Sequence, residues 1–160
     1  MIRAANQEEI PIVQQTMRDA FEEYRNRLNP PSGALTEEVG KIREKIAAGG
    51  AVIAWEGDKP VGSAQYIFRE GYMYVGRVAV ITGARGMGIG TKIMKYLEEL
   101  AKEYSFGEIR LGVRLSIPQN YKFYLSLGYE VIERHEYPEK TDGWYIMSKK
   151  TELTEGSLLC

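Results

Sequence analysis

Three glycines at alternate positions, in Arg85-Gly86-Met87-Gly88-Ile89-Gly90-Thr91, separate a strand-like run from a strongly amphipathic helical segment, and this loop constrains the chain more than any other stretch. Glycine lacks a Cβ, so consecutive backbone N–H groups can turn toward one bound anion while the N-terminus of the following helix adds partial positive charge. Arg85 contributes a fixed charge and a forked donor suited to phosphate oxygens. The stretch therefore reads as a phosphate cradle. Its plain alternative is a left-handed connector between strand and helix, so the flanking segments must decide.

Spacing excludes two well-known phosphate loops. A Walker loop needs a lysine after its second glycine, and after Gly83 and Gly88 this chain has Ile89 there. The dinucleotide pattern Gly-x-Gly-x-x-Gly fails as well, because the third position is Thr91 counted from Gly86 and Ile93 counted from Gly88. What remains is Q/R-x-x-G-x-G/A, filled by Arg85, Gly88 and Gly90.

Both flanks fit. Upstream, Tyr72 to Ile81 is rich in β-branched and aromatic residues, and the interior Gly76 points to a bulge or a close backbone approach. Downstream, Ile93, Leu97, Leu100, Ala101 and Tyr104 recur at helical spacing with lysines and glutamates on the opposite face. A second patch follows. Glu108 to Val113 alternates as a short strand, Pro118 opens a helix through Leu127, and Gly128 ends it.

Together these residues resemble the GNAT superfamily of acyl-CoA-dependent N-acetyltransferases. The loop from Arg85 to Thr91 is similar to that family's pyrophosphate loop, and Asn120-x-x-x-Tyr124-x-x-Leu127-Gly128-Tyr129 is similar to its second cofactor patch. Many members carry the asparagine three residues earlier, where this chain has Ile117; some place it at the Asn120 position. The resemblance runs from about Tyr72 to Glu130. It implies an α/β layered fold in which a central mixed, mostly antiparallel sheet of six or seven strands is flanked by about four helices. It also implies that the strands before the glycine loop and before Pro118 run parallel and splay apart. A pantetheine arm of acetyl-CoA, the implied cosubstrate, would lie in the gap against the free edge of Val78, Ala79 and Val80. Arg85, Gly86, Met87, Gly88, Ile89, Gly90 and Thr91 would hold the pyrophosphate, and Asn120 would make a further contact.

The chemistry of amide formation assigns further parts. An amine of ordinary pKa near ~10.4 must lose a proton before it attacks, a carbonyl oxygen must find donors as it gains charge, and a thiolate must be protonated as it leaves. Tyr124 suits the last task, because a phenol of pKa ~10 is protonated near neutrality; the matching tyrosine of the family has this role. Read without its patch, Tyr124 is a core aromatic. Backbone amides at Val78 or its bulged neighbours are the candidate oxyanion donors. No general base is named: Glu22, Glu23, Glu70 and Asp142 flank the acceptor side but each also reads as a solvated carboxylate, and a water relay fits equally. His135, the only histidine, reads as a strand residue.

Composition sets outer bounds. A chain of 160 residues is one domain in length, read as residues 1–150 with a tail at 151–160 of unassigned structure. With 21 basic and 22 acidic side chains, no global field recruits nucleic acid or an anionic membrane, and basic residues are interspersed with acids. The single cysteine, Cys160, cannot form an internal disulfide, and no cysteine and histidine cluster can hold a metal. No stretch approaches the ~20 apolar residues of a membrane-spanning helix, and the cytoplasm is the default compartment. Such a chain is open to assembly as a homodimer. The expected acceptor is a small amine or a peptide terminus, with Glu22, Glu23, Tyr24, Arg77 and Asp142 as polar wall residues and a local acidic surface favouring a cation. The rival from another class is a non-catalytic acyl-CoA sensor or scaffold, which thiol release in the presence of amines would exclude.

The remaining segments complete an alternating pattern. Ile2 to Ala4 reads as a first strand, and Asn6 with Glu9 as a capping box before a helix whose apolar face is Ile10, Val13, Met17, Phe21 and Tyr24. Thr36 reads as the cap of a second helix carrying Val39, Ile42 and Ile46. Ala51 to Glu56 and Val61 to Phe68 form a hairpin, and Tyr129 to Glu136 with Trp144 to Ser148 form two late strands.

Overall fold

The computed structural model describes residues 1–152; the tail beyond, with Cys160, lies outside the described residues. Strands β1 (Ile2–Ala4), β2 (Gly49–Glu56), β3 (Lys59–Arg69), β4 (Tyr72–Val80), β5 (Glu108–Arg114), β6 (Glu130–Glu136) and β7 (Gly143–Lys150) form one sheet in the order β1-β2-β3-β4-β5-β7-β6. Every neighbouring pair is antiparallel except β4 and β5, which run parallel. Helices α1 (Ile10–Phe21), α2 (Val39–Lys45), α3 (Ile89–Glu103) and α4 (Pro118–Ser126) complete the α/β fold. No helix of the described residues is long and apolar enough to cross a membrane.

Alternation along the central strands sends side chains to two separate cores. On one face, Val52, Ala54, Val61, Ala64 and Val75 pack with Ile93, Met94, Leu97 and Ala101 of α3. On the other, Ala51 and Ile53 pack with Ile10, Val13 and Met17 of α1 and with Ile42 of α2. Burying each large aliphatic side chain contributes about 1.5–3 kcal/mol, so α3 on one face and α1 with α2 on the other hold the sheet between them.

The capping box forms as read: the Asn6 side chain accepts from the Glu9 N–H at 3.0 Å while the Glu9 carboxylate accepts from the Asn6 N–H at 3.1 Å. It opens a short 3₁₀ turn, Gln7–Glu9, that runs into α1 with Pro11 in its first turn. The second helix differs from expectation. Ser32 caps a 3₁₀ turn at Gly33–Leu35, Thr36 ends that turn, and α2 starts only at Val39, without a side-chain cap. Glu37, just before α2, turns inward to Lys45, whose Nζ donates to both of its oxygens at 2.8 Å.

One end of the parallel pair is clamped. The Glu108 carboxylate accepts from Arg110 Nε at 2.7 Å and from Ser148 Oγ at 2.6 Å, and the Arg110 guanidinium lies 4.1 Å from the centre of the Tyr72 ring. The Arg110 hydrogen bond, helped by Ser148 and by the charges of Arg110 and Lys150, outweighs burial and lowers the Glu108 pKa from its usual 4.5 to about 2. A carboxyl whose folded pKa is depressed contributes stability that is fully present above its unfolded pKa and is lost as pH falls through the folded one. Glu108→Gln should therefore destabilise the protein in urea at pH 7, with the difference from the parent vanishing between about pH 4.5 and 2. A difference that stayed constant through that window would remove Glu108 from the acid sensitivity.

Candidate active site

The clamp matters because pairing between β4 and β5 stops early. Only Met73, Tyr74 and Val75 pair with Ile109, Arg110 and Leu111. Beyond them, β4 bulges away: Gly76 faces Gln65 and Ala79 faces Ser63 on β3, so an extra residue is inserted at Arg77 and Val78. Arg77 sits at φ +53°, in the left-handed region. The outer part of β4 keeps its β3 partner but has no β5 partner. Backbone groups on that edge are left free to pair with something else.

A cavity of about 580 Å³ occupies one side of this gap, bounded by Val78, Ala79 and Val80, by the glycine loop and by α4. Gly86 and Gly88 adopt φ of +81° and +76°, a conformation that glycine holds without strain. A Cβ built at either would meet no protein atom within 4 Å, so both glycines border open space. Gly88 is also the N-cap of α3, and no side chain caps that helix. Unpaired N–H groups at the start of a 15-residue helix thus border the cavity, which is the geometry of an anion site. Gly90 has a different task. A Cβ there would stand 3.3 Å from Phe123 Cζ, so its absence lets α4 lie against the first turn of α3.

The other predicted residues fall into place unequally. Ile89, Gly90, Thr91, Asn120 and Tyr124 all border this cavity. Met87 does not; it is exposed and borders a separate groove beside Met1 and Ile2. Arg85 borders the cavity, but its guanidinium is held by protein: Nη1 pairs with Glu23 Oε1 at 2.6 Å, Nη2 donates to the Ala20 carbonyl at 2.9 Å and Nε to the Val80 carbonyl at 3.1 Å. It ties the end of α1 to the loop. On the opposite side, Gln119 Nε2 donates to the Tyr24 hydroxyl at 3.2 Å.

The segment 13–129 of this chain matches the sequence model of the Acetyltransferase (GNAT) family. The chain belongs to that family. It is an acyltransferase with acetyl-CoA as cosubstrate, and the open-faced glycines and the uncapped helix fit the phosphates of such a molecule. Among similar proteins is the uncharacterized N-acetyltransferase YjcF of Bacillus subtilis (strain 168), 27% identical over 128 residues, covering 78% of this chain and 85% of the relative. The ribosomal-protein-S18-alanine N-acetyltransferase of Escherichia coli superposes with a TM-score of 0.73 at 14% identity, over 96% of this chain and 95% of the other. An aminoglycoside 6′-N-acetyltransferase complexed with coenzyme A gives 0.73 at 18% identity, over 96% and 98%. These likenesses show the fold.

Tyr124 borders the cavity from α4. Its ring packs edge-on to Phe123 and Tyr129, with centroids 4.9 and 5.8 Å away, and among the described residues no hydrogen bond engages its hydroxyl. Burial pushes its pKa well above the ordinary phenol value. Tyr124 also borders a second cavity, of about 540 Å³, on the other side of the gap; Phe21, Val78 and Asn120 border both as well.

This second cavity departs from the acidic surface expected from sequence, because among the described residues neither aspartate nor glutamate lines it. Glu22 pairs with Arg25 and Glu23 with Arg85. Asp142 lies behind the wall: burial raises its pKa, but hydrogen bonds from Arg114, Ser116 and the Gly143 N–H outweigh that and hold it low. Glu70 is exposed in the β3–β4 turn and borders neither cavity. His135, in β6, stacks on Trp144 of β7, as a strand residue would. Phe21 was read from sequence only as part of an apolar helix face; its position at the junction follows from where α1 ends, which periodicity does not reveal.

Proposed function

We propose that this enzyme transfers the acetyl group of acetyl-CoA to a primary amine of a small molecule or peptide by direct attack, within a catalytic unit spanning residues 1–150. The observation that carries the reading is the meeting of two cavities at Val78 and Tyr124, one against the glycine loop and one open on the far side. Acetyl-CoA supplies an activated thioester. The loop amides from Gly86 to Thr91 bind its phosphates, and Val78 offers free backbone groups to its arm; Ala79 is in register with Ser63, two residues from the Ile81 N–H bond to the Val61 carbonyl, so its own groups face β3. Val80 contributes less, since its carbonyl already accepts from Arg85. Asn120 makes a further polar contact from α4.

Within this reading, amides at the Val78 bulge receive the charge that grows on the carbonyl oxygen. As the nitrogen–carbon bond forms and the carbon–sulfur bond breaks, Tyr124 gives its proton to sulfur. The amine's own proton leaves through water, because among the described residues no carboxylate lines the acceptor-side cavity. A thiol-release assay with acetyl-CoA and panels of amines, amino acids and short peptides tests the proposal. One thiol should appear per acetylated amine found by mass spectrometry. Absence of thiol release above background with every acceptor, in protein that binds CoA, would overturn it.

A further inference from the structure

Among the described residues, the charged side chains lining the acceptor-side cavity are both arginines, Arg77 and Arg114. Arg114 is fully engaged in building the walls. Its Nε pairs with Asp142 Oδ2 at 2.5 Å, a second nitrogen donates to the Pro30 carbonyl, and its guanidinium stands 5.0 Å from the centre of the Tyr137 ring. It fastens the Pro30 segment to the turn before β7, and Asp142 offsets its charge.

Arg77 is different. Its Nη2 stands 3.6 Å from Glu37 Oε2, beyond hydrogen-bond distance, and Lys45 already donates to both oxygens of that carboxylate at 2.8 Å. Gln65 Nε2 approaches Glu37 too, at 3.4 Å. The cluster of Glu37, Lys45 and Arg77 therefore carries one surplus positive charge, and Arg77 is its member that borders the cavity. Two details of the backbone serve this placement. Arg77 holds φ +53° within the β4 bulge, and the bulge sets where its side chain leaves the strand. Gly33 makes room for the guanidinium, since a Cβ there would stand 2.8 Å from Nη2. The cavity lining mixes polar groups, among them Ser32 and Asn120, with the apolar and aromatic side chains of Phe21, Leu28, Tyr137 and Trp144.

We infer that the acceptor is an amine that carries a carboxylate in the same molecule, with the carboxylate on Arg77 and an apolar body against Tyr137 and Trp144. The inference rests on the second cavity being the acceptor side, as proposed above. Arg77 lines the same cavity as Val78 and Tyr124, which also border the cofactor-side cavity, so a carboxylate on Arg77 and an amine at the junction would share one enclosure. A forked guanidinium suits a carboxylate better than any other cation, because two parallel N–H groups can meet its two oxygens.

The test compares matched acceptors with the same body: phenylalanine against phenethylamine, leucine against isoamylamine, and the dipeptides Phe-Gly and Gly-Phe to separate free amino acids from peptides. In the unmodified enzyme the acid-bearing member of each pair should show kcat/KM about 10- to 100-fold higher, mainly through KM. Arg77→Gln should collapse that ratio toward one, and Arg77→Lys should restore part of it. Equal turnover of both members, or a ratio preserved in Arg77→Gln, would overturn the inference while leaving acetyl transfer intact. Calorimetry with 3-phenylpropionate and CoA provides a readout independent of turnover. Arg77-dependent binding without acetylation of any amine would support the carboxylate site and overturn the transfer reading. Neither binding nor turnover would overturn both.

Discussion

Replacing Gly88 with valine is expected to weaken CoA binding by about 100-fold or more while leaving the protein folded, because the substitution places bulk where the phosphates approach the backbone. The local geometry separates the two effects. A Cβ at Gly88 meets no protein atom within 4 Å, so folding suffers only from forcing a β-branched residue to φ +76°. That strain is about 1–2 kcal/mol, equivalent to a fall of roughly 2–8 °C in Tm for a chain of this size. Arg85→Ala should behave in the opposite way. Its guanidinium is tied to Glu23 and Ala20, so its loss should loosen the end of α1 more than it weakens phosphate binding. Calorimetry on both variants, with melting curves alongside, checks the pair. Unchanged CoA affinity in a folded Gly88→Val protein would sink the cradle.

What could be read from the sequence is what local stereochemistry dictates. Gly86 and Gly88 were legible because left-handed backbone favours glycine, and the apolar faces of α1 and α3 because helical periodicity needs no tertiary knowledge. The capping box at Asn6 and Glu9 is likewise a short-range device. Partner choice among charges is not. Glu23 and Arg85 lie 62 positions apart, and Arg114 and Asp142 28 apart, so nothing in composition could show that arginines had drawn the expected acidic residues out of the acceptor cavity. Arg77 was legible only as a polar wall residue. Arginine has no preference for positive φ, and its conformation is imposed by the β4 bulge and by the space over Gly33. Thr36 failed as a helix cap for a related reason: Glu37 turns inward to Lys45, and the helix begins two residues after it.

Removal of one oxygen, in Tyr124→Phe, is expected to lower kcat by about 10²–10⁴-fold with CoA affinity nearly unchanged, since general acid assistance is of that size and the ring is retained. The edge-on packing against Phe123 and Tyr129 needs only the ring, so the variant should fold and melt close to the parent. The pH dependence makes the assignment sharper. Burial raises the folded pKa of Tyr124 above the ordinary value of 10, which keeps the phenol protonated and able to donate through the neutral range and beyond. Its loss as an acid should therefore produce no fall in kcat below pH 10, and the deficit of Tyr124→Phe should be the same at pH 7 as at pH 9. A tyrosine acting as a base would behave otherwise, gaining activity as pH rises toward its pKa. Single-turnover thiol release across that range separates the two roles. Parent-like rates in Tyr124→Phe at every pH would remove the residue from the chemistry and leave the glycine cradle untouched.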